Sequence, residues 1–150
     1  MLNNPSKGFY VTDPGSGSSS ITTFYSGKNN KGTGGLNREH VWPNSRGGGQ
    51  IETDPFVIRP TLTSDNSARG NNFYGNTRSN EWDPASLGFE GARGESARVA
   101  LYAACRYYNL GLSLSNNPSD STSSNTMGTL KTLLKSSLLR AYFQWNVELC

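Results

Sequence analysis

Apolar residues occur along this chain in short bursts separated by polar, glycine-rich stretches, so short elements joined by long loops are expected. Ile21–Tyr25 (ITTFY), rich in β-formers, predicts a short extended segment. Leu36–Trp42 (LNREHVW) predicts a strand ended by Pro43, and Phe56–Arg59 (FVIR) a second ended by Pro60. Between them lies PNSRGGGQIETDP, a glycine-laden connection of a length that compact domains often reserve for function. Ser64 or Asp65 then caps a short helix through NSARGN.

Helical periodicity is clearest over Glu95–Asn109. Ala97, Leu101, Ala104, Cys105 and Tyr108 recur at i, i+4, i+7, i+8 and i+11, one apolar stripe expected to face the core, with Gly111 placed to stop the helix. Ser113–Asn125 reads as a flexible surface loop. A last amphipathic helix is expected from about Met127, with Leu130, Leu133, Leu134 and Leu138 on one face. With neither a repeat nor an interdomain linker, residues 1–150 read as a single small α+β domain with long loops and additional packing helices.

The 150 residues suit one modest core. Gly, Ser and Asn together fill 53 positions, which reinforces the loop-rich picture. No run approaches the roughly 20 apolar residues a membrane-spanning helix needs, and MLNNPSKGFY lacks a signal-peptide layout. A soluble chain without membrane insertion is expected, any export signal being absent or removed. The net charge of +3 is too small for polyanion binding by charge alone. Between Arg38 and Arg106, however, eight arginines and no lysines stand against eight acidic residues. Arginine without lysine suits bidentate recognition of phosphate or carboxylate, and structural ion pairing accounts for it equally well. Of the two cysteines, Cys105 reads as a buried thiol acting as a small hydrophobe, and neither has metal-ligand spacing.

His40 is the single histidine and therefore the default general base near neutral pH. Glu39 beside it adds an oxygen ligand. With no second His and no Cys pair, such a site suits Mg²⁺ or Ca²⁺ rather than zinc, which points to metal-assisted chemistry. A serine nucleophile lacks any GxSxG-like elbow, and the GTGG and GGG runs lack the context of a nucleotide cradle.

LNREHVWPNS, IRPT, NSARGNNFYG and RGESARVALYAACRYY, in that order, resemble the successive motifs of the bacterial endonuclease I (EndA/NucM) family, in the ββα-metal (His-Me finger) superfamily. The resemblance spans about Leu36–Tyr108, and the later TLKTLLK is similar to the family's C-terminal helix. It implies a ββα-metal core over about residues 36–72 and a Mg²⁺-dependent, largely sequence-nonspecific endonuclease leaving 5′-phosphates. Mn²⁺ or Ca²⁺ are expected substitutes for Mg²⁺. DNA is the implied substrate, with RNA left open, in a secreted or periplasmic monomer. Position by position, His40 matches the general base, Glu39 the acidic metal ligand, and Asn66, 26 positions after His40, the asparagine ligand, with Asn71 the second choice. Arg59 and Arg69 are the candidates for holding the scissile phosphate, and Arg38, Arg46 and Arg98 are further substrate-binding candidates.

Where many members read D-x-H-H-x-R-P, this chain has Asp54–Pro60 as DPFVIRP, with Phe56 and Val57 in place of the histidines. The carbonyl of Val57 or its neighbour is therefore expected to accept the Nδ1 hydrogen of His40. The end, SSLLRAYFQWNVELC, departs from the family pattern and reads as divergent or truncated. Two other functions compete. One is a catalytically inactive nucleic-acid-binding domain on the same scaffold, stacking bases on Trp42, Trp82, Phe73 or Tyr74. The other is a carbohydrate hydrolase using Glu81 with Asp83 or Glu95.

Overall fold

A computed structural model describes residues 15–16, 19–75, 79–114 and 126–127. Among these residues it is a mixed arrangement of four two-stranded sheets and two α-helices. Strands β1 (Ser20–Thr22) and β2 (Asn29–Lys31) form an antiparallel pair, as do β3 (Leu36–His40) and β4 (Ile58–Leu62). Helix α1 (Thr63–Arg69) follows β4 directly, so two antiparallel strands run straight into a helix. Then come β5 (Phe73–Tyr74) parallel to β6 (Glu81–Trp82), helix α2 (Gly91–Arg106), a 3-10 turn at Tyr108–Leu110, and β7 (Ser113–Leu114) parallel to β8 (Thr126–Met127).

The β3–β4 register places Glu39 opposite Arg59, His40 opposite Ile58 and Arg38 opposite Pro60. Pro60 was expected to end the second strand and instead lies inside it. Proline is tolerated on an edge, where its missing N–H breaks no ladder bond, and this pair has edges on both sides. The Pro60 carbonyl accepts the Phe24 N–H at 2.8 Å, which docks the turn after β1 against β4. Bonds from Val41 N–H to the Val57 carbonyl (3.2 Å) and from Thr63 N–H to the Gly35 carbonyl (2.9 Å) extend the pair at both ends.

The connection from β3 to β4 is ordered by two 3-10 turns, Asn44–Arg46 and Gly48–Ile51, hinged at Gly47 with φ 89°. Asp54 anchors its far end. Its Oδ1 accepts the Phe56 N–H (2.8 Å), while Oδ2 accepts the hydroxyls of Tyr102 (2.8 Å) and Tyr107 (2.7 Å) from the α2 region. A glycine-rich sequence thus becomes a fixed arch rather than an open loop.

The core gathers Ile21, Tyr25, Val41, Trp42, Ile51, Val57 and Tyr74 against α2. That helix buries Ala92, Ser96, Val99, Ala100 and Ala103, the expected i, i+4, i+7, i+8, i+11 template begun five residues earlier. Of the predicted stripe Ala97 is buried, but Leu101, Ala104 and Cys105 are only half-buried and Tyr108 is 77% exposed. Small residues leave room for close packing, and the register follows that room rather than side-chain hydrophobicity. Cys105 is disulfide-bonded rather than a free thiol. The short helix begins at Thr63, so Ser64 and Asp65 lie inside it and neither caps it; Leu62 occupies the cap position without a side-chain bond. Ser113 and Leu114, expected in a loop, form β7, and Met127, expected to begin a helix, lies in β8. The rest of that expected helix, with Leu130, Leu133, Leu134 and Leu138, and the rest of the expected loop lie outside the described residues. No described helix is long and apolar enough to cross a membrane.

Candidate active site

A cleft of about 140 Å³ opens where the end of β3 meets the end of α1, lined by Glu39, His40, Pro43, Asn44, Asn66, Arg69, Gly70 and Asn71. Adjacent residues on a strand point to opposite faces, so Glu39 and His40 reach this cleft differently. Glu39 turns inward against α1 and is fully buried. His40 keeps 19% of its side chain exposed.

Glu39 Oε1 is doubly engaged, accepting the Tyr25 hydroxyl at 2.5 Å and pairing with Arg69 Nη1 at 3.2 Å. Its other oxygen, Oε2, is buried and has no hydrogen-bond partner among the described residues. An isolated buried carboxylate oxygen is costly and marks a place where a further group belongs. Burial pushes the Glu39 carboxyl above its ordinary pKa, opposed by the Arg69 charge and the Tyr25 hydroxyl.

His40 Nε2 is buried and lies 3.5 Å from Glu52 Oε2 without completing a hydrogen bond. Burial first, and then the Arg38 charge, holds the imidazole below its ordinary pKa, with Glu52 and the Arg38 backbone opposing. The ring is therefore neutral at neutral pH, the form a base requires. The expected bond to Val57 is not made: that carbonyl receives the Val41 N–H, and no hydrogen bond among the described residues joins it to His40.

Asn66 on α1 donates its amide to Asn37 Oδ1 (3.0 Å) and to the Arg38 carbonyl (3.4 Å). No hydrogen bond among the described residues engages its Oδ1. Asn71 is exposed on the far lip, its carbonyl accepting Arg46 Nε at 3.2 Å.

The arginines separate sharply. Arg69 is 1% exposed, with Nη1 donating to the His40 and Gly70 carbonyls (3.2 Å each) and Nη2 to the Val41 carbonyl (3.0 Å). Expected to hold phosphate, it instead clamps the end of β3 onto α1. Burial opposes its charge, but the Tyr74, Tyr25 and Glu39 oxygens outweigh that and raise its pKa. Arg46 stacks over the buried Phe73 ring at 3.9 Å, beside the cleft. Arg38 is exposed on β3, two residues from His40. Arg59 is half-buried opposite Glu39 on β4 and does not line the cleft. Arg98 is ion-paired with Glu95 on α2 and does not line it either.

Two residues that sequence reasoning missed organise the site. Tyr25 reaches Glu39 from 14 residues upstream, and Glu52 reaches His40 from the connecting arch; neither lies within a motif that marks it. The proposed stacking aromatics offer no platform, because Trp42, Phe73 and Tyr74 are buried and Trp82 packs edge-on against Tyr25 at 4.6 Å. The carboxylate pair of a carbohydrate hydrolase is also missing. Arg93 grips both oxygens of Asp83 (2.9 and 2.5 Å) and holds it below the usual carboxylate range, Glu95 is paired with Arg98, and neither these nor Glu81 line the cleft.

No group of three or more His, Cys, Asp or Glu side chains able to hold a metal occurs among the described residues. A hard cation held by one carboxylate and one amide oxygen, its other positions left to water and substrate, needs no such group. The unpartnered Glu39 Oε2 and the unengaged Asn66 Oδ1 fit that requirement.

Comparison with known proteins gave no match among curated proteins or among solved structures. The family model for Endonuclease I matches residues 9–88, a stretch that contains every residue lining the cleft and ends before α2. The motif at residues 93–108 lies outside that match. Because the matched stretch covers more than half of the chain, the protein belongs to the Endonuclease I family, which supports a nuclease role on nucleic acid.

Proposed function

We propose that the cleft is the centre of a Mg²⁺-dependent, largely sequence-nonspecific endonuclease that hydrolyses phosphodiester bonds in DNA, with β3, β4 and α1 serving as a ββα-metal unit. The observation that carries this reading is the buried Glu39 Oε2, without a partner among the described residues, in a cleft that His40 also lines. Glu39 and Asn66 are the residues that would hold the metal. When bound, Mg²⁺ would neutralise charge developing on the phosphate and the leaving oxygen.

The chain's own residues supply the remaining work. His40 accepts the proton of the attacking water, its ring standing 3.5 Å from Glu52 at Nε2. Attack in line with the 3′-oxygen leaves a 5′-phosphate on the product. Arg38 and Arg46, rather than the buried Arg69, are placed to meet phosphate oxygens from solvent. Contacts to phosphate alone carry no base information, in keeping with cleavage at many sequences. RNA is a second substrate to test, and action outside the cytoplasm as a monomer completes the proposal.

Plasmid nicking tests it, with the native chain, His40→Ala and Glu39→Ala compared with Mg²⁺ and with chelator. Cleavage that needs the metal and falls by about 10² to 10⁴ in His40→Ala is expected. A folded native chain that shifts DNA in a gel yet cleaves none with Mg²⁺, Mn²⁺ or Ca²⁺ would instead identify a silent binding domain.

A further inference from the structure

Tyr25 is fully buried, and its hydroxyl contacts two groups, Glu39 Oε1 at 2.5 Å and the Tyr74 hydroxyl at 2.7 Å. A phenol has one proton to give. The carboxylate cannot donate in its ionised form, so that proton goes to Glu39, and the Tyr74 hydroxyl, which also reaches the Val41 carbonyl at 3.3 Å, gives its own to the nearer Tyr25 oxygen. The distance of 2.5 Å is that of a charge-assisted O–H···O⁻ bond. With Arg69 on the same oxygen, Oε1 has two donors and Oε2 has none among the described residues. A carboxylate free to rotate would share these donors between its oxygens. Here both are fixed on one side, so the carboxylate is locked with its empty oxygen turned away from them. Tyr25 is itself held by the backbone bond from Phe24 to Pro60 and by the edge-on Trp82 ring, so its hydroxyl has little freedom to follow a moving carboxylate.

We propose that Tyr25 is a positioning residue for Glu39, its hydroxyl occupying Oε1 so that Oε2 alone is presented to a divalent cation. This rests on the reading of Glu39 as a metal ligand. Partners that orient a ligating side chain typically contribute 10- to 100-fold to metal affinity, and the removal of this hydroxyl acts in that range.

The test uses the full chain with Mn²⁺ as the probe, its binding followed by electron paramagnetic resonance beside thermal melting and nicking at increasing Mg²⁺. Tyr25→Phe keeps the ring and its packing. It is expected to weaken Mn²⁺ binding about 10- to 100-fold, with nicking restored towards the native rate at saturating Mg²⁺. Mn²⁺ affinity unchanged in a folded Tyr25→Phe, while Glu39→Gln loses it, overturns this inference and leaves the metal site standing. A native chain that binds no Mn²⁺, or a Glu39→Gln that binds it as the native does, overturns the metal reading and this inference with it. Should Tyr25→Phe not fold, Tyr74→Phe decides. It removes the donor to Tyr25 without touching Glu39, a several-fold weakening is expected, and native affinity overturns the proposal.

Discussion

Arg69 Nη1 and Glu39 Oε1 form an ion pair at 3.2 Å whose side chains are 2% and 0% exposed. Few contacts in the molecule depend so completely on one another. The guanidinium also satisfies three carbonyls around the cleft, so its loss strands a carboxylate and several acceptors together.

Replacing Arg69 with Ala is therefore expected to destabilise the fold by about 3–5 kcal/mol, the usual consequence of leaving one buried charge without its partner. Denaturant unfolding measures this. A variant of native stability that has lost nicking would return Arg69 to the role of a phosphate contact.

Gly48 lies where a Cβ would stand 1.9 Å from the Trp42 carbonyl oxygen and 2.7 Å from that of Pro43. Backbone cannot step aside as a flexible side chain does, and Gly48→Ala is expected to cost about 1–3 kcal/mol. At Gly49 a Cβ meets nothing within 4 Å, so Gly49→Ala should change stability by less than about 0.5 kcal/mol. The two neighbouring variants, melted side by side, separate close packing from loop entropy. Equal melting temperatures would show that the arch is not packed as described.

The Arg93 fork holds Asp83 below the usual carboxylate range. A carboxyl whose pKa is depressed in the folded state stabilises above its unfolded value of about 3.9 and loses that contribution as pH falls through the lower folded value. Asp83→Asn should thus be less stable than the native chain at neutral pH, by no more than about 1 kcal/mol because the pair is partly solvated. The difference should close at acid pH. Urea midpoints across the acid range check it, and a gap that widens on acidification would refute the assignment.

Much of the frame was legible in the sequence where residue type and chain order coincided. The strand bearing Glu39 and His40, the long connection, the second strand and the short helix appear in the order their motifs announce. The α2 face was misread because Ala and Ser carry little hydrophobic signal, while Leu101 and Tyr108 carry much and pack less deeply. Pro60 misled because a proline ends a central strand and not an edge one. At the site, the residues lining the cleft come from two motifs, and the sequence singles out Glu39, His40, Asn66, Arg69 and Asn71 among them but not Pro43, Asn44 or Gly70. Tyr25 and Glu52 could not, since only folding brings them to Glu39 and His40. Arg69 had the right neighbours and the wrong direction: one helical turn decides whether a guanidinium meets solvent or main chain, and residue type does not record it.

The grip of Arg69 on β3 falls on the carbonyls of His40 and Val41 rather than on their side chains. Every residue offers the same carbonyl, so the clamp is indifferent to what position 40 carries. On the proposed reading of His40, substitution of the imidazole would end the chemistry while leaving the architecture upright, and a chain without this histidine would still fold around the same cleft.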